Sequence, residues 1–379
     1  MKATHVLTAL ACCSGLFWAT TTPLAGQARG FGAGAQGRPA DYLTTCKVAP
    51  PGRGGGGGAA RGAAPAPAGP PATFDERSYT VAAIPGVIAA GAKWTEVWRG
   101  DGNNADGLVA TSDGGVLFAQ NDNNQVGKID TKGQVTFPYQ GLNVSGSLAM
   151  NAKGTLFVLN RGYTGLSGTA HGFASIDVLA PQKKVFADKG PNGDALDCIG
   201  GVLNDAVAAS NGGVYFTMGG VYYAAPDGKV SKQDAKDGNP ALGPNGIILT
   251  PDEKHVIVTN AGTLVIFDVG ADGQLGNQHK FVDFDRAGLA EGQGGGGDGS
   301  TFDANGRYYI TAANGVQVFD KDGKHLGTIP SRRNLVSATI GGAQRKTLYV
   351  VTAAVVNGER KVWIDSIPLL ATGPKGRGK

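Results

Sequence analysis

One strand unit is written six times between residues 106 and 350, and this repetition limits the possible folds more than any other feature. In the first copy Asp106-Gly107 leads into an apolar run, Leu108-Val109-Ala110, then a turn at Gly114 and a second apolar run, Val116-Leu117-Phe118. A polar residue with glycine, a strand, a glycine turn and a strand make a hairpin, both by pattern and by turn chemistry. The unit returns at Gly146, Asn204, Asn245, Asp298 and Ser337. In the first five copies the turn residue stands eight positions after the leading residue, at 114, 154, 212, 253 and 306. The sixth copy carries one extra turn residue before Leu348-Tyr349-Val350. Successive copies begin 40, 58, 41, 53 and 39 residues apart. A unit of about 40 residues holds four short strands, the size of one propeller blade. The spacing therefore predicts an all-β chain, a six-bladed β-propeller formed as one domain by residues 73–370. The segment from Tyr79 to Trp98 is expected to supply the strand that closes the last blade. An open β-sandwich would not require six copies in one register, and no helical period of a doubly wound α/β fold lies between the strands.

Composition agrees with this reading and divides the chain. Glycine is 63 of 379 residues, without the three-residue period of collagen or the heptads of a coiled coil. Residues 30–72 hold 12 glycines and 7 prolines with few apolar side chains, so residues 29–72 read as a flexible linker. Residues 1–28 read as a secretory signal peptide: Lys2 precedes the mostly apolar Val6 to Ala19, and small residues follow near Ala25 to Ala28. A lipoprotein signal fits less well, because little apolar sequence precedes Cys12 and Cys13. No stretch is long and apolar enough for a membrane span, and the expected location is the periplasm or the exterior. Residues 371–379 form a basic tail. Nine of the 34 Lys and Arg lie in residues 1–72 and the last five positions, leaving 25 against 29 acidic residues in the body. That balance argues against nucleic acid as a partner. Cys46 and Cys198 remain after cleavage, and the sequence leaves open both a bridge between them and two unpaired thiols. The oligomeric state is left open as well.

In a propeller, equivalent positions on the innermost strands ring one end of the axis. Four of the six leading residues, Asp106, Asn204, Asn245 and Asp298, carry oxygen on short side chains. Singly, each is an ordinary turn residue. Converging in one ring, they predict a site for a hard divalent cation, Ca2+ first, with Mg2+, Mn2+ and Zn2+ as alternatives. Two carboxylates would balance the charge of such an ion, and without it they would repel each other.

The run Gly243-Pro244-Asn245-Gly246 through Pro251-Asp252, with Gly297-Asp298-Gly299 through Asn305-Gly306, resembles the regucalcin/gluconolactonase/luciferin-regenerating-enzyme-like family. The resemblance covers roughly residues 94–370 and is strongest in the last three units. It implies a six-bladed propeller, a divalent cation near the axis, and hydrolysis of lactones or related esters. The family's Pro-Asn-Gly asparagine falls on Asn245, its Asp-Gly aspartate on Asp298, and a third-blade asparagine on Asn204. The first blade of the family supplies Glu before Gly-Pro, whereas this chain has the shorter Asp106 before Gly107-Leu108.

The resulting expectation is an exported metal-dependent hydrolase acting on a small lactone or ester. Asp298 would be the catalytic base or nucleophile, and Asp106, Asn204, Asn245 and Asp298 the metal ligands. The longest interval between units contains Arg161 and His171, which are expected to touch substrate. The rival expectation is a noncatalytic propeller that binds a ligand or a protein, since fold does not fix function.

Overall fold

The structure, a computed structural model, describes residues 34–50 and 76–375. The expected signal peptide, most of the expected linker and the end of the basic tail lie outside the described residues. Twenty-four strands, numbered β1 to β24 in chain order, form six four-stranded antiparallel sheets. The innermost strands are β2 (Leu108–Ala110), β6 (Ser145–Met150), β10 (Ala206–Ala208), β14 (Pro244–Leu249), β18 (Gly296–Phe302) and β22 (Asn334–Gly341). They touch one another in a closed cycle, with β2 meeting β22. This is the six-bladed β-propeller that the repeat predicts. The ring is closed by β1 (Thr95–Asp101), which pairs with β24 (Glu359–Pro368) as the outermost strand of blade six. Only the end of the segment expected to close the ring does so. The residues before it pack instead, with Val81, Ile84, Val87, Ile88 and Trp94 buried against blades five and six.

The second strand of each blade is buried on both faces and reads as an apolar run. In β15 (His255–Asn260), Val256 and Val258 face blade three, whereas Ile257 faces blade five. Six apolar clusters fill the six gaps between neighbouring blades. Burying a large aliphatic or aromatic side chain contributes about 1.5–3 kcal/mol, so these gaps are the main source of cohesion. The eight-residue spacing has a backbone cause. Gly114, Gly154, Gly212, Glu253, Gly306 and Arg345, each eight positions after a leading residue, all adopt positive φ, between 53° and 96°. That conformation closes the hairpin turn and explains why glycine holds four of the six positions.

Among the described residues, no helix is long and apolar enough to cross a membrane. Residues 34–50, although part of the segment expected to be a flexible linker, are docked on the propeller. The chain around Gln36 bridges to Thr169, and Cys46 forms a disulfide with Cys198. Over these residues the flexible-linker expectation is replaced by a tethered strap.

Candidate functional site at the mouth of the axis

The leading residues are aimed by irregularities in the innermost strands. Pairing shifts between Ser145 and Ser147, Pro244 and Ile247, Gly296 and Ser300, and Leu335 and Ser337. The first three bulges span a leading position and the fourth ends at one, and a bulge turns a side chain away from the blade face. In blades one and three the strand begins two residues after the leading residue. There Asp106 N donates to Ala119 O (3.1 Å) and Asn204 N to Thr217 O (2.9 Å). Threonine hydroxyls hold the turned backbone in the middle blades. Thr259 Oγ1 accepts from the amides of Asn245 (3.2 Å) and Gly246 (2.9 Å). Thr311 Oγ1 accepts from Asp298 N (3.2 Å) and donates to Gly299 O (3.0 Å). Glycine after the leading residue permits close approach of the next blade. A Cβ on Gly299 would lie 2.5 Å from Ser337 Oγ, and one on Gly246 would collide with the Asp298 carbonyl.

Arg161 joins this ring between blades one and three. It sits just past β7 (Leu156–Asn160), the second strand of blade two, and is 4% exposed. Its Nη1 donates to Asp106 Oδ2 (2.8 Å) and Asn121 Oδ1 (2.7 Å). Its Nη2 donates to Asn204 Oδ1 (3.0 Å) and Asn204 O (3.3 Å), and its Nε to Leu203 O (3.0 Å). Those five hydrogen bonds match the five N–H groups of a guanidinium. Arg161 is therefore not the solvent-facing substrate contact expected from sequence: its donors are committed inside the protein. The ring continues through Asn204 Nδ2, which donates to Asn245 Oδ1. Asp298 is buried on the adjoining blade.

The position after the leading residue is polar in blades two and three, Ser147 and Asp205, and glycine in blades one, four and five. Asp205 Oδ1 accepts from Ser147 Oγ (2.7 Å) and its Oδ2 from Ile247 N (3.0 Å), so one carboxylate ties blades two, three and four together. Burial, with the Asp205 charge adding to it, pushes the Tyr308 hydroxyl well above the ordinary phenol range. Tyr308 therefore stays neutral beneath the site.

The strap lies beside the mouth. Ala35 N donates to Gly165 O (3.1 Å), and Arg38 Nη2 to the same carbonyl (2.6 Å). The loop they grip begins at Arg161 and carries the short 3-10 turn Gly162–Thr164. Thr164 Oγ1 donates to Arg161 O (2.6 Å) and accepts from Leu203 N (3.2 Å), which ties the arginine's backbone to the chain entering blade three. That chain includes Asp197 and Cys198. Burial pushes the Asp197 carboxyl up to about 6, against the pull of the Ala174 amide that it accepts. His171 is exposed on the same loop. Its backbone amide donates to Asn143 Oδ1 (2.7 Å), and its Nε2 lies 3.2 Å from Asn124 Nδ2. Neither partner is one of the leading residues.

Asp106, Asn204 and Asn245 are thus joined in one hydrogen-bonded chain through Arg161, and Asp298 holds the equivalent position of the next blade. They do not fit a divalent cation held by all four. Asp106 and Asn204 already give oxygen atoms to Arg161, and Asn245 gives its oxygen to Asn204. A second cation would meet a buried guanidinium at the same oxygens. Reading along the leading positions alone misses Asn121 and Arg161. Each stands fifteen positions after a leading residue, 106 and 146, and that offset is the signal that would have found them.

A closed six-bladed propeller with a polar, arginine-centred axial mouth is the class of protein that the fold and this site define. Residues 140–354 match the model of the SMP-30/Gluconolactonase/LRE-like region, and the chain belongs to that family. A gluconolactonase from Zymomonas mobilis is 25% identical over 170 residues, which is 39% of this chain and 47% of that protein. The chain thus spans about half the length of this curated relative. The structure of a gluconolactonase from Xanthomonas campestris superposes with a TM-score of 0.56 at 19% identity, covering 80% of this chain and 98% of that one. A regucalcin from Agrobacterium tumefaciens, described as calcium-binding, superposes with a TM-score of 0.52 at 17% identity, covering 74% and 95%. At these identities the structural likeness speaks for the fold. Asp106 and Asn121 precede the residues matched to the family, whereas Arg161, Asn204, Asn245 and Asp298 fall within them.

Proposed function

We propose that this protein is an exported hydrolase of lactones or related esters that works at the mouth of the propeller axis. The carrying observation is the convergence of Asp106, Asn121, Asn204, Asn245 and Asp298 from four blades on one end of the axis, in a chain of this family. A small cyclic ester offers a carbonyl carbon to attack and an oxygen that gains negative charge. In this reading Asp298 takes the proton from the attacking water as general base. The carboxamides of Asn204 and Asn245 supply the polar environment in which the oxyanion develops. The ring C–O bond then breaks, and its oxygen leaves with a proton as the hydroxyl of the hydroxy acid. Arg161 keeps Asp106, Asn121 and Asn204 in place. Export is supported by the Cys46–Cys198 disulfide, a bond that persists in oxidising compartments.

The test is a panel of sugar lactones, simple lactones and aryl esters, assayed with the wild-type protein and with Asp298→Asn. Turnover by the wild type is expected to fall by roughly 10²- to 10⁴-fold in the variant, with the circular dichroism spectrum unchanged. Equal turnover by the two proteins would remove Asp298 from the mechanism. A wild type inert on the whole panel would leave a noncatalytic binding propeller.

A further inference from the structure

We propose that Arg161 is the resident cation of the axial site, standing where the sequence pattern assigns a divalent metal ion. The argument begins with the gap in the ring. Blade two contributes Gly146 as its leading residue, so no side chain reaches the axis from that position. The space is taken by Arg161 of the same blade. A Cβ on Gly146 would lie 2.5 Å from Arg161 Cζ and 2.6 Å from its Cδ, and closer still to Nε. Glycine at 146 and arginine at 161 are thus one device: the first is empty so that the second can cross to the axis.

The guanidinium then does what a bound ion would do for this ring. Projecting from blade two, it gathers oxygen ligands from the blades on either side, Asp106 and Asn121 of blade one and Asn204 of blade three. It also neutralises a buried carboxylate: the Asp106 side chain is 11% exposed and that of Arg161 5%. Unlike a metal ion, it cannot dissociate, and arginine keeps its charge throughout the working pH range. Its position is fixed from behind, because Arg161 N donates to Val144 O (2.9 Å) and Arg161 O accepts from Thr164 Oγ1 (2.6 Å). A divalent ion at the same oxygens would have to displace a side chain that makes five hydrogen bonds.

The consequence is a site whose permanent cation is a side chain, paired with Asp106, and which selects against divalent cations. This goes beyond the hydrolase reading and rests on it in one respect only: any turnover should survive chelation. The decisive measurements use no substrate. Chelator-treated full-length protein is titrated with Ca2+, Mg2+, Mn2+ and Zn2+ by calorimetry and by thermal melting, alongside Arg161→Ala. The wild type is expected to bind none of them at the axis and to keep its Tm in millimolar Ca2+. Arg161→Ala should melt lower in chelator and recover by several degrees in Ca2+, because its vacated oxygens now take the ion. Arg161→Gln, which keeps hydrogen-bonding groups without the charge, replaces it if the alanine variant does not fold. Stoichiometric Ca2+ binding by the wild type that Asp298→Asn abolishes would overturn the inference. A folded, charge-less variant that gains no Ca2+ response would overturn it too. Neither result depends on lactone turnover, so an inert substrate panel leaves this test intact.

Discussion

Blades four and five and blade two follow the same strand plan and do different work. In blades four and five a threonine on the second strand, Thr259 or Thr311, clamps the bulged backbone of the leading residue, which carries the functional oxygen itself. Blade two has Leu159 at that place and Gly146 in the lead, and its functional group comes from two residues farther on, at Arg161. Its connections are longer, hold both 3-10 turns and receive the strap from residues 34–50. The difference teaches that regular blades supply a rigid frame, while one irregular blade sets the charge at the mouth. If this is right, insults to the strap and loops should act on the Arg161 side and leave blades four and five ordered.

The largest effect should come from the disulfide. Cys46 and Cys198 are 152 residues apart in sequence, and losing a bridge that closes a long loop costs about 2–5 kcal/mol. Replacing both by serine should lower Tm. In hydrogen exchange, protection should fall at residues 161–174 and 196–205 while β15 and β19 (Tyr308–Ala312) keep theirs. Uniform loss across all six blades would break the comparison.

Next in size is a pH effect confined to the same side. The Asp197 carboxyl, pushed up to about 6 by burial, holds a proton that the unfolded chain releases near pH 4. Its stabilising contribution is complete below about pH 4 and is lost as pH rises through about 6, a change of up to about 3 kcal/mol. Asp197→Asn removes that loss. The Tm of the variant minus that of the wild type should therefore rise between about pH 4 and pH 6 and level off above that. A difference that stays flat with pH would show that Asp197 is not held in the protonated form.

The frame was readable in the sequence because its causes are local. A positive-φ turn eight positions after a leading residue marks a hairpin wherever it stands, and Arg345 obeys the same count without being glycine. The ring of Asp106, Asn204, Asn245 and Asp298 follows from that count. What occupies the ring does not. Arg161 reads as a loop arginine until its blade is folded, because the empty position it fills is a glycine fifteen residues earlier. The strap was hidden for a different reason. Glycine and proline over residues 30–72 predict freedom, and only Cys46 hinted at a partner far along the chain. Asp197 looks like any surface acid in sequence, and its burial arises from a contact with Ala174 across blade two.

The smallest expected effect tests the regular side directly. Thr311→Val keeps the shape of the side chain and removes the hydroxyl that joins Asp298 N to Gly299 O. Leaving those buried backbone groups without a partner should cost about 1–2 kcal/mol. The bulge also aims Asp298, so the variant should lower kcat several-fold with little change in KM if Asp298 acts in the chemical step. Thr311→Ser restores the hydroxyl and should recover kcat even where the lost methyl group leaves stability slightly reduced. A serine variant as slow as the valine variant would mean that packing, not the hydrogen bond, aims Asp298. The threonine clamp would then be no more specific to the site than Leu159 is in blade two.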